Sequence, residues 1–209
     1  MPRTIIIADD HPLYRQALSL AVERVAPDAW VIEAGTLAGA VQALSQADEP
    51  ALVLLDLKMP GAVGFSGIAL LHAERPEVPI LVVSSAEGAS AGEEARSFGA
   101  VGFLRKDSDL EVIEAAVASA LGGSRRIESG TCAEAGQPDQ GRVADLTPTQ
   151  TKVLLAVLDG QLNKQIAHEL GVSEATIKAH MTAIMRKLDV TNRTQAALVA
   201  RSMGLHLQH

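Results

Sequence analysis

One cysteine, Cys132, in 209 residues excludes an intrachain disulfide framework and any zinc site built from several thiolates. Aromatic side chains are scarce as well, at 2% (Tyr14, Trp30, Phe65, Phe98 and Phe103), so the core has to be aliphatic, built mainly from Leu, Ile, Val and Ala. No stretch approaches about 18 uncharged apolar residues, which excludes a membrane-spanning helix. The apolar start of the chain stops at Asp9-Asp10 and is too short for a signal peptide, so a soluble protein in the reducing cytoplasm is expected. At 47% apolar and 21% charged residues the chain can build a core and does not have the composition of a disordered protein. The formal net charge of −7 argues against nucleic acid as a partner only while it is read as a single number.

The charge divides sharply along the chain. Residues 122–145 are dense in Gly, Ser, Gln and charge and show no apolar periodicity, which reads as a linker. Before it, residues 1–121 carry 8 Lys/Arg against 17 Asp/Glu, or −9; after it, residues 146–209 carry 7 against 4, or +3; the linker itself carries 3 against 4, or −1. An acidic first domain is followed by a small basic one.

Within residues 1–121, short continuous apolar runs at Thr4–Ala8, Ala29–Ala34, Leu52–Leu55, Ile80–Val83 and Gly102–Leu104 suit parallel strands covered on both faces. Helical spacing lies between them at Leu13–Val25, Leu37–Leu44, Phe65–Arg75, a loose Gly/Ala-rich 89–98 and Leu110–Leu121, the last with Ser108 and Glu111 as an expected capping box. The pattern predicts an α/β fold, a five-stranded doubly wound parallel sheet. Residues 146–209 read as all-helical. Thr147, Pro148 and Gln150 open a first helix that stops at Asp159-Gly160; Asn163 starts a short helix ending at Gly171. Ser173 caps a longer helix to Leu188, and Asn192 with Gln195 opens a last one ending near Gly204. Short helix, tight turn and longer helix make a helix-turn-helix shape.

In a doubly wound sheet, ligands gather beyond the carboxyl ends of the strands. Those ends carry Asp9-Asp10, Asp56, Ser84 and Lys106. Three carboxylates in one place repel one another and call for a cation; hard oxygen donors suit Mg²⁺. An aspartate there can act as a nucleophile toward a phosphoryl group whose oxygens Mg²⁺ and a lysine neutralise. Taken singly, an acidic pair after a strand is most often a helix cap, a lysine a solvated charge and a phenylalanine plain core; it is their joint placement at the strand ends that points to a site.

Asp9-Asp10, DLKMPG (Asp56–Gly61), Ser84-Ser85 and GFLRKD (Gly102–Asp107) together resemble the receiver domain of two-component response regulators, with its flavodoxin-like sheet. The resemblance spans residues 4–121 and implies Asp56 as phosphoacceptor. It further implies Asp10 as a direct Mg²⁺ ligand, Asp9 assisting through water and the Lys58 backbone carbonyl completing the protein ligands. Lys106 would pair with the acyl phosphate, Ser84 would hydrogen-bond a phosphoryl oxygen, and Phe103 stands at the position of the family's rotating aromatic switch. The Lys58 side chain, two residues past Asp56, is expected to slow hydrolysis of the acyl phosphate, and Ala86 is too small to orient water.

The C-terminal segment, with LTPTQTKVL, GQLNKQIAHELGVSEATIKAH and IMRKLDVTNRTQA, resembles the LuxR-type helix-turn-helix of the NarL/FixJ group over nearly its whole length. Ile166, Ala167, Leu170, Val172, Ile177, Met181, Ile184 and Leu188 form the expected packing stripe. Lys178, Ala179 and Thr182 fall on the opposite face, toward base edges in a major groove. Lys164, Thr176, Arg186, Lys187, Arg193 and Thr194 are expected at phosphates. Gln150 replaces the Glu that the family carries near this opening. A charge of +3 makes one copy a weak binder, so a homodimer on double-stranded DNA is expected, with Val199 and Met203 as candidate dimer contacts.

The implied function is a transcriptional regulator, not an enzyme, phosphorylated on Asp56 by a sensor histidine kinase, with dimerisation and DNA binding under phosphoryl control and no membrane partner. The receiver is expected to cover the DNA-binding helix until phosphorylation. The alternative is a phosphorylation-independent receiver that serves as a dimerisation or ligand-responsive module. A phosphohydrolase of the haloacid dehalogenase type needs an acid/base carboxylate two residues after its nucleophile; that position is Lys58. Cys132 lies in the linker, open to oxidation.

Overall fold

The computed structural model describes residues 3–61, 63–85, 91–123, 145–202 and 204–206. Ala86, Cys132, Met203 and nearly all of the expected linker therefore lie outside the described residues.

The aliphatic runs become a parallel sheet of β1 (Thr4–Ala8), β2 (Trp30–Ala34), β3 (Pro50–Leu55), β5 (Ile80–Ser84) and β6 (Ala100–Arg105), in the order β2-β1-β3-β5-β6. Continuous apolar runs suit this sheet because helices cover both faces. On one face Ile5, Ile7, Leu52, Leu54, Leu81 and Val83 pack against Leu18 and Val22 of α1 (Pro12–Val25) and Ile113 and Val117 of α5 (Leu110–Leu121). On the other, Ile6, Val53, Leu55 and Val82 meet α2 (Leu37–Gln46), α3 (Ser66–Glu74) and α4 (Ala91–Ser97). Ile6 is fully buried between them, and truncating such a residue to Ala costs about 2–5 kcal/mol.

The second half is helical: α6 (Pro148–Leu158), α7 (Asn163–Glu169), α8 (Glu174–Leu188) and α9 (Arg193–Ser202). The capping box at Thr147 is present: Gln150 N–H donates to Thr147 Oγ1, and Gln150 Oε1 accepts the Thr147 N–H at 3.1 Å. The expected box at Ser108 and Glu111 is not. The helix begins one residue later, with Asp109 as N-cap and no side-chain cap bond, because Ser108 N–H is spent closing the preceding turn onto the Arg105 carbonyl. Val172 also departs from its expected place in the packing stripe. It sits in the turn between α7 and α8, 39% exposed, while the other seven residues of the stripe are buried or half-buried.

Two strands too short to show in the sequence join the halves. β4 (Val63–Gly64) pairs antiparallel with β7 (Leu205–His206), and Phe65 N–H donates to the Gly204 carbonyl at 3.2 Å. Gly64 (φ 58°) and Gly204 (φ 84°) are both in the left-handed region, and a methyl group on Gly64 would collide with the Gly204 carbonyl oxygen. The aliphatic core of α6–α9 is continuous with the α2–α3–α4 side of the sheet.

Candidate functional site

The sheet brings the acidic residues together because β1 and β3 are neighbours that end at the same level: Ala8 pairs with Leu55, and Asp56 N–H donates to the Ala8 carbonyl at 2.8 Å. Asp9 and Asp56 are almost wholly buried, whereas Asp10 is about one-third exposed. Lys106 arrives from the end of β6, its N–H anchored on the Ser84 carbonyl at 3.0 Å. Its ammonium sits 2.7 Å from Asp9 Oδ2 and 2.8 Å from Asp56 Oδ2. Burial works against the Lys106 charge, but hydrogen bonds and the Coulomb pull of Asp56 and Asp9 outweigh it, and its pKa is held above the ordinary lysine value. Lys58 N–H donates to Asp56 Oδ1 at 3.1 Å, and the Lys58 side chain is exposed. Ser84 is fully buried at the end of β5, and Phe103 is half-buried on β6, paired in register with Val82. Asp9, Asp10, Asp56, Ser84 and Lys106 thus lie at the same edge of the sheet, with Phe103 two residues inside it on β6.

Three neighbours of the pocket escaped the sequence reading. His11 places Nδ1 2.7 Å from Asp10 Oδ1 and 3.2 Å from Asp9 Oδ1, and its N–H donates to Asp9 Oδ1 at 2.8 Å. A histidine directly after an acidic pair was the available signal. Arg15 donates to the Asp9 carbonyl at 2.8 Å and to Glu33 at 2.7 Å, which ties the β1–α1 turn to β2. Tyr14 lies under Lys106, with the ammonium 4.9 Å from the ring centroid. Burial, with the nearby charges of Asp9, Asp56 and Asp107 adding to it, raises the Tyr14 pKa to about 12. No local sequence pattern marks Tyr14 or Arg15.

The donor set fits a divalent cation. Single oxygens of Asp9, Asp10 and Asp56, with one nitrogen of His11, all lie within 4.8 Å of one another. Lys106 meets only Asp9 and Asp56, so one ammonium stands against three neighbouring carboxylates, and hard oxygens in that number suit Mg²⁺.

The second candidate surface is α8. Lys178, Ala179, Thr182 and Arg186 line its exposed face, and Ala175, not foreseen, shares it. Lys178 pairs with Glu174 at 3.1 Å, and Thr182 Oγ1 donates back to the Lys178 carbonyl at 3.0 Å. Lys164 and Thr194 are exposed nearby, and Thr176 lies at the N-terminus of α8 on the Ser173 cap. Two expected phosphate contacts point inward instead. Lys187 Nζ donates to the Asp145 carbonyl at 2.7 Å and to Gln150 Oε1 at 2.8 Å, and Arg193 donates to Asn163 Oδ1 at 3.0 Å and to the Gln161 carbonyl. Both cations brace the helices against each other. Gln150 serves as cap and as acceptor for Lys187, a neutral substitute for the expected Glu. Val199 packs half-buried against the helical core, and the exposed large apolar residue on α9 is Leu198, 59% exposed. Lys178, Ala179, Thr182 and Arg186 on the outer face of α8 are exposed, so among the described residues no receiver element covers the DNA-facing helix as expected; α3 meets α6, and β4 meets β7.

Comparison with known proteins agrees with this geometry. The family profile "Response regulator receiver domain" matches residues 5–118, and "Bacterial regulatory proteins, luxR family" matches residues 144–200. The chain is a response regulator of the NarL family. The regulator is 37% identical over 207 residues to the glycerol metabolism activator of Pseudomonas putida, covering 94% of each chain. It is 31% identical to the nitrate/nitrite response regulator protein NarL of Escherichia coli strain K12, again covering 94% of both. Among solved structures, the RcsB–DNA complex shares the fold at a TM-score of 0.55 and 22% identity, covering 97% of the regulator and 99% of that chain. A LuxR-family response regulator from Aurantimonas also reaches 0.55, at 26% identity, over 61% of the regulator and 90% of that chain. No helix among the regulator's described residues is long and apolar enough to cross a membrane.

Proposed function

We propose that the regulator accepts a phosphoryl group on Asp56 from a sensor histidine kinase and that this controls its dimerisation and its binding to double-stranded DNA. The observation that carries the reading is the Lys106 ammonium bridging Asp9 and Asp56 at the carboxyl edge of the sheet. A carboxylate oxygen of Asp56 attacks the phosphorus; the new O–P bond forms as the N–P bond to the kinase histidine breaks. Lys106 stays beside Asp56 and balances charge on the phosphoryl oxygens. Mg²⁺, when bound, supplies further charge neutralisation to those oxygens, held by Asp10, Asp56, the Lys58 carbonyl and, through water, Asp9. Phosphorylation brings close to two negative charges at neutral pH. Ser84 donates its hydroxyl toward them, and Phe103 turns inward, changing the α4–β6–α5 face. The transfer is one stoichiometric event on the protein's own side chain, so the regulator acts as a switch and not as a turnover enzyme. It works in the cytoplasm.

The DNA-binding part, from residue 146 onward, offers Lys178, Ala179 and Thr182 to base edges, and Lys164, Thr176, Arg186 and Thr194 to phosphates. Lys187 and Arg193 hold those elements in register. The acidic receiver, 1–121, joins it through the 122–145 linker, and two copies read half-sites about one helical turn apart.

Acetyl phosphate with Mg²⁺, followed by a phosphate-affinity gel, tests the first step. A retarded band is expected for the wild type and none for Asp56→Ala. Genome-wide DNA occupancy compared between the same two proteins tests the second. An unretarded wild type with occupancy equal to that of Asp56→Ala would replace this reading with a phosphorylation-independent module.

A further inference from the structure

We propose that the cleft where the DNA-binding half docks on the receiver binds a small primary amine with a compact apolar body, and that this ligand holds the two halves together.

The cleft measures about 440 Å³, a size suited to a small organic molecule. Val41 of α2 and Leu70 of α3 form its receiver wall; Leu155 and Ala156 of α6, with Ile166 of α7, form the wall opposite. Both walls are aliphatic, so they favour an apolar ligand body by removing it from water.

The rim carries charge of one sign. α3 ends on Glu74, α7 ends on Glu169, and Asp159 is the C-cap of α6, so three helices bring their C-terminal ends to one opening. A helix C-terminus is already the negative end of the helix dipole, where a basic residue is stabilising and a carboxylate is not. α6 has no basic residue in its last turn. Lys152 is the one cation among the described residues lining the cleft, and Glu74 holds it at 2.7 Å. Arg75, next after Glu74, points away to the Ser45 and Ala47 carbonyls at the end of α2. Three carboxylates at unfavourable helix ends, set against one ammonium, make the opening complementary to a second cation.

Gln161 narrows that cation to an amine. It lines the cleft, and its Oε1 is buried with no hydrogen-bond partner among the described residues. An unmade bond of that kind is costly, and a turn of the amide toward the cleft lets an ammonium N–H supply it. A quaternary ammonium has no N–H to give, and among the described residues no aromatic ring lines the cleft to receive one on its face.

The two walls belong to different halves, so the site is whole only while the halves are docked. A ligand that binds the docked form and not the separated one shifts the equilibrium toward docking by its own affinity.

Amide NMR spectra of the full-length protein titrated with phenethylamine test this. Saturable shifts are expected at Leu70, Ala156 and Leu170, with phenethyl alcohol, hydrocinnamate and the trimethylammonium analogue of the amine each binding several times more weakly. Glu169 is exposed, and Glu169→Gln should weaken the amine about two- to fivefold while leaving the alcohol unchanged. Ala156→Leu fills the cleft and should abolish the shifts. Saturating amine should also slow hydrogen exchange at the Phe65 amide, whose bond to the Gly204 carbonyl joins the halves. The site is overturned by an absence of saturable shifts at those three amides up to about 10 mM amine, by equal binding of amine and alcohol, or by shifts confined to the surroundings of Asp9, Asp10 and Asp56. Binding that leaves exchange at Phe65 unchanged overturns the hold on docking.

Discussion

Lys152 Nζ lies 2.7 Å from Glu74 Oε2, a bond from the first helix of the DNA-binding half to the third helix of the receiver. β7 pairs with β4, a few residues past Asp56. The DNA-binding half is therefore docked on the receiver by its first helix and its tail, with the outer face of α8 left open.

The ion pair is partly exposed on both sides, so it contributes about 0.2–1 kcal/mol and weakens with salt. Lys152→Ala is expected to loosen docking slightly. Gly64→Val is expected to do far more, since it demands a left-handed valine and collides with the Gly204 carbonyl. Small-angle scattering should show a larger radius of gyration for Gly64→Val, with the receiver's own circular dichroism signal retained. An unchanged radius would mean that the β4–β7 pairing does not hold the two halves together.

Tyr14 is the sole tyrosine, so absorbance near 295 nm reports it alone. Its phenol is expected to titrate near pH 12 in the folded protein, against about 10 in the unfolded chain. The folded state holds the proton more tightly, so this contribution to stability is intact below pH 10 and is lost as pH climbs from 10 toward 12. Asp56→Asn removes one of the charges that raise the value and should lower the midpoint. A wild-type midpoint at 10 would contradict the buried setting beside Lys106.

Asp9 and Asp56 share the Lys106 ammonium, with the Asp10 carboxylate crowded in beside them. Asp56→Asn is expected to relieve repulsion by about 1 kcal/mol and to raise the thermal midpoint by about 2–4 °C without metal. Adding Mg²⁺ should stabilise the wild type and have little effect on the variant. Calorimetry with and without Mg²⁺ decides it; a lower midpoint for Asp56→Asn would show that the Lys106 bridge outweighs the repulsion.

Lys58 presents an exposed ammonium two residues past Asp56. Lys58→Ala is expected to shorten the lifetime of the acyl phosphate severalfold, the sense in which a cation beside the phosphoryl group stabilises its charge. Decay of radiolabelled phosphoprotein measures it, and equal half-lives would remove the side chain from the account.

Lys164 on α7 and Arg186 on α8 are exposed, whereas Lys187 and Arg193 are tied into the domain. Lys164→Ala and Arg186→Ala should each lower the slope of log affinity against log salt by about 1 and leave the thermal midpoint nearly unchanged. Lys187→Ala and Arg193→Ala should lower the midpoint first, because the first takes a donor from the Asp145 carbonyl and the second takes donors from Asn163 Oδ1 and the Gln161 carbonyl. Fluorescence anisotropy across a salt series, paired with melting curves, separates the two classes.

The aliphatic runs and the residues at their ends were legible in the sequence for one reason. A parallel strand buried on both faces is apolar until it leaves the sheet, so the first polar residues after it mark the site edge. Asp9-Asp10, Asp56, Ser84 and Lys106 were found that way. The capping boxes were less secure because a helix can begin one residue later at little cost: Thr147 held, and Ser108 gave way to Asp109. Periodicity likewise placed α8 and its outer face, since the stripe from Ile177 to Leu188 leaves one side free.

Periodicity gives the side of a helix a residue occupies but not what stands opposite it. Whether Lys187 and Arg193 face DNA or their own domain depends on Asp145, Gln150, Asn163 and Gln161, which tertiary packing brings within hydrogen-bond reach. His11 and Tyr14 joined the pocket for the same reason, through the turn after β1 and the approach of Lys106. The two-residue strands β4 and β7 are too short to carry a pattern and exist only as partners of each other. Composition and local order determined the two folds and the acidic edge; which side chains turn inward, and how the halves dock, was decided by contacts between residues far apart in the chain.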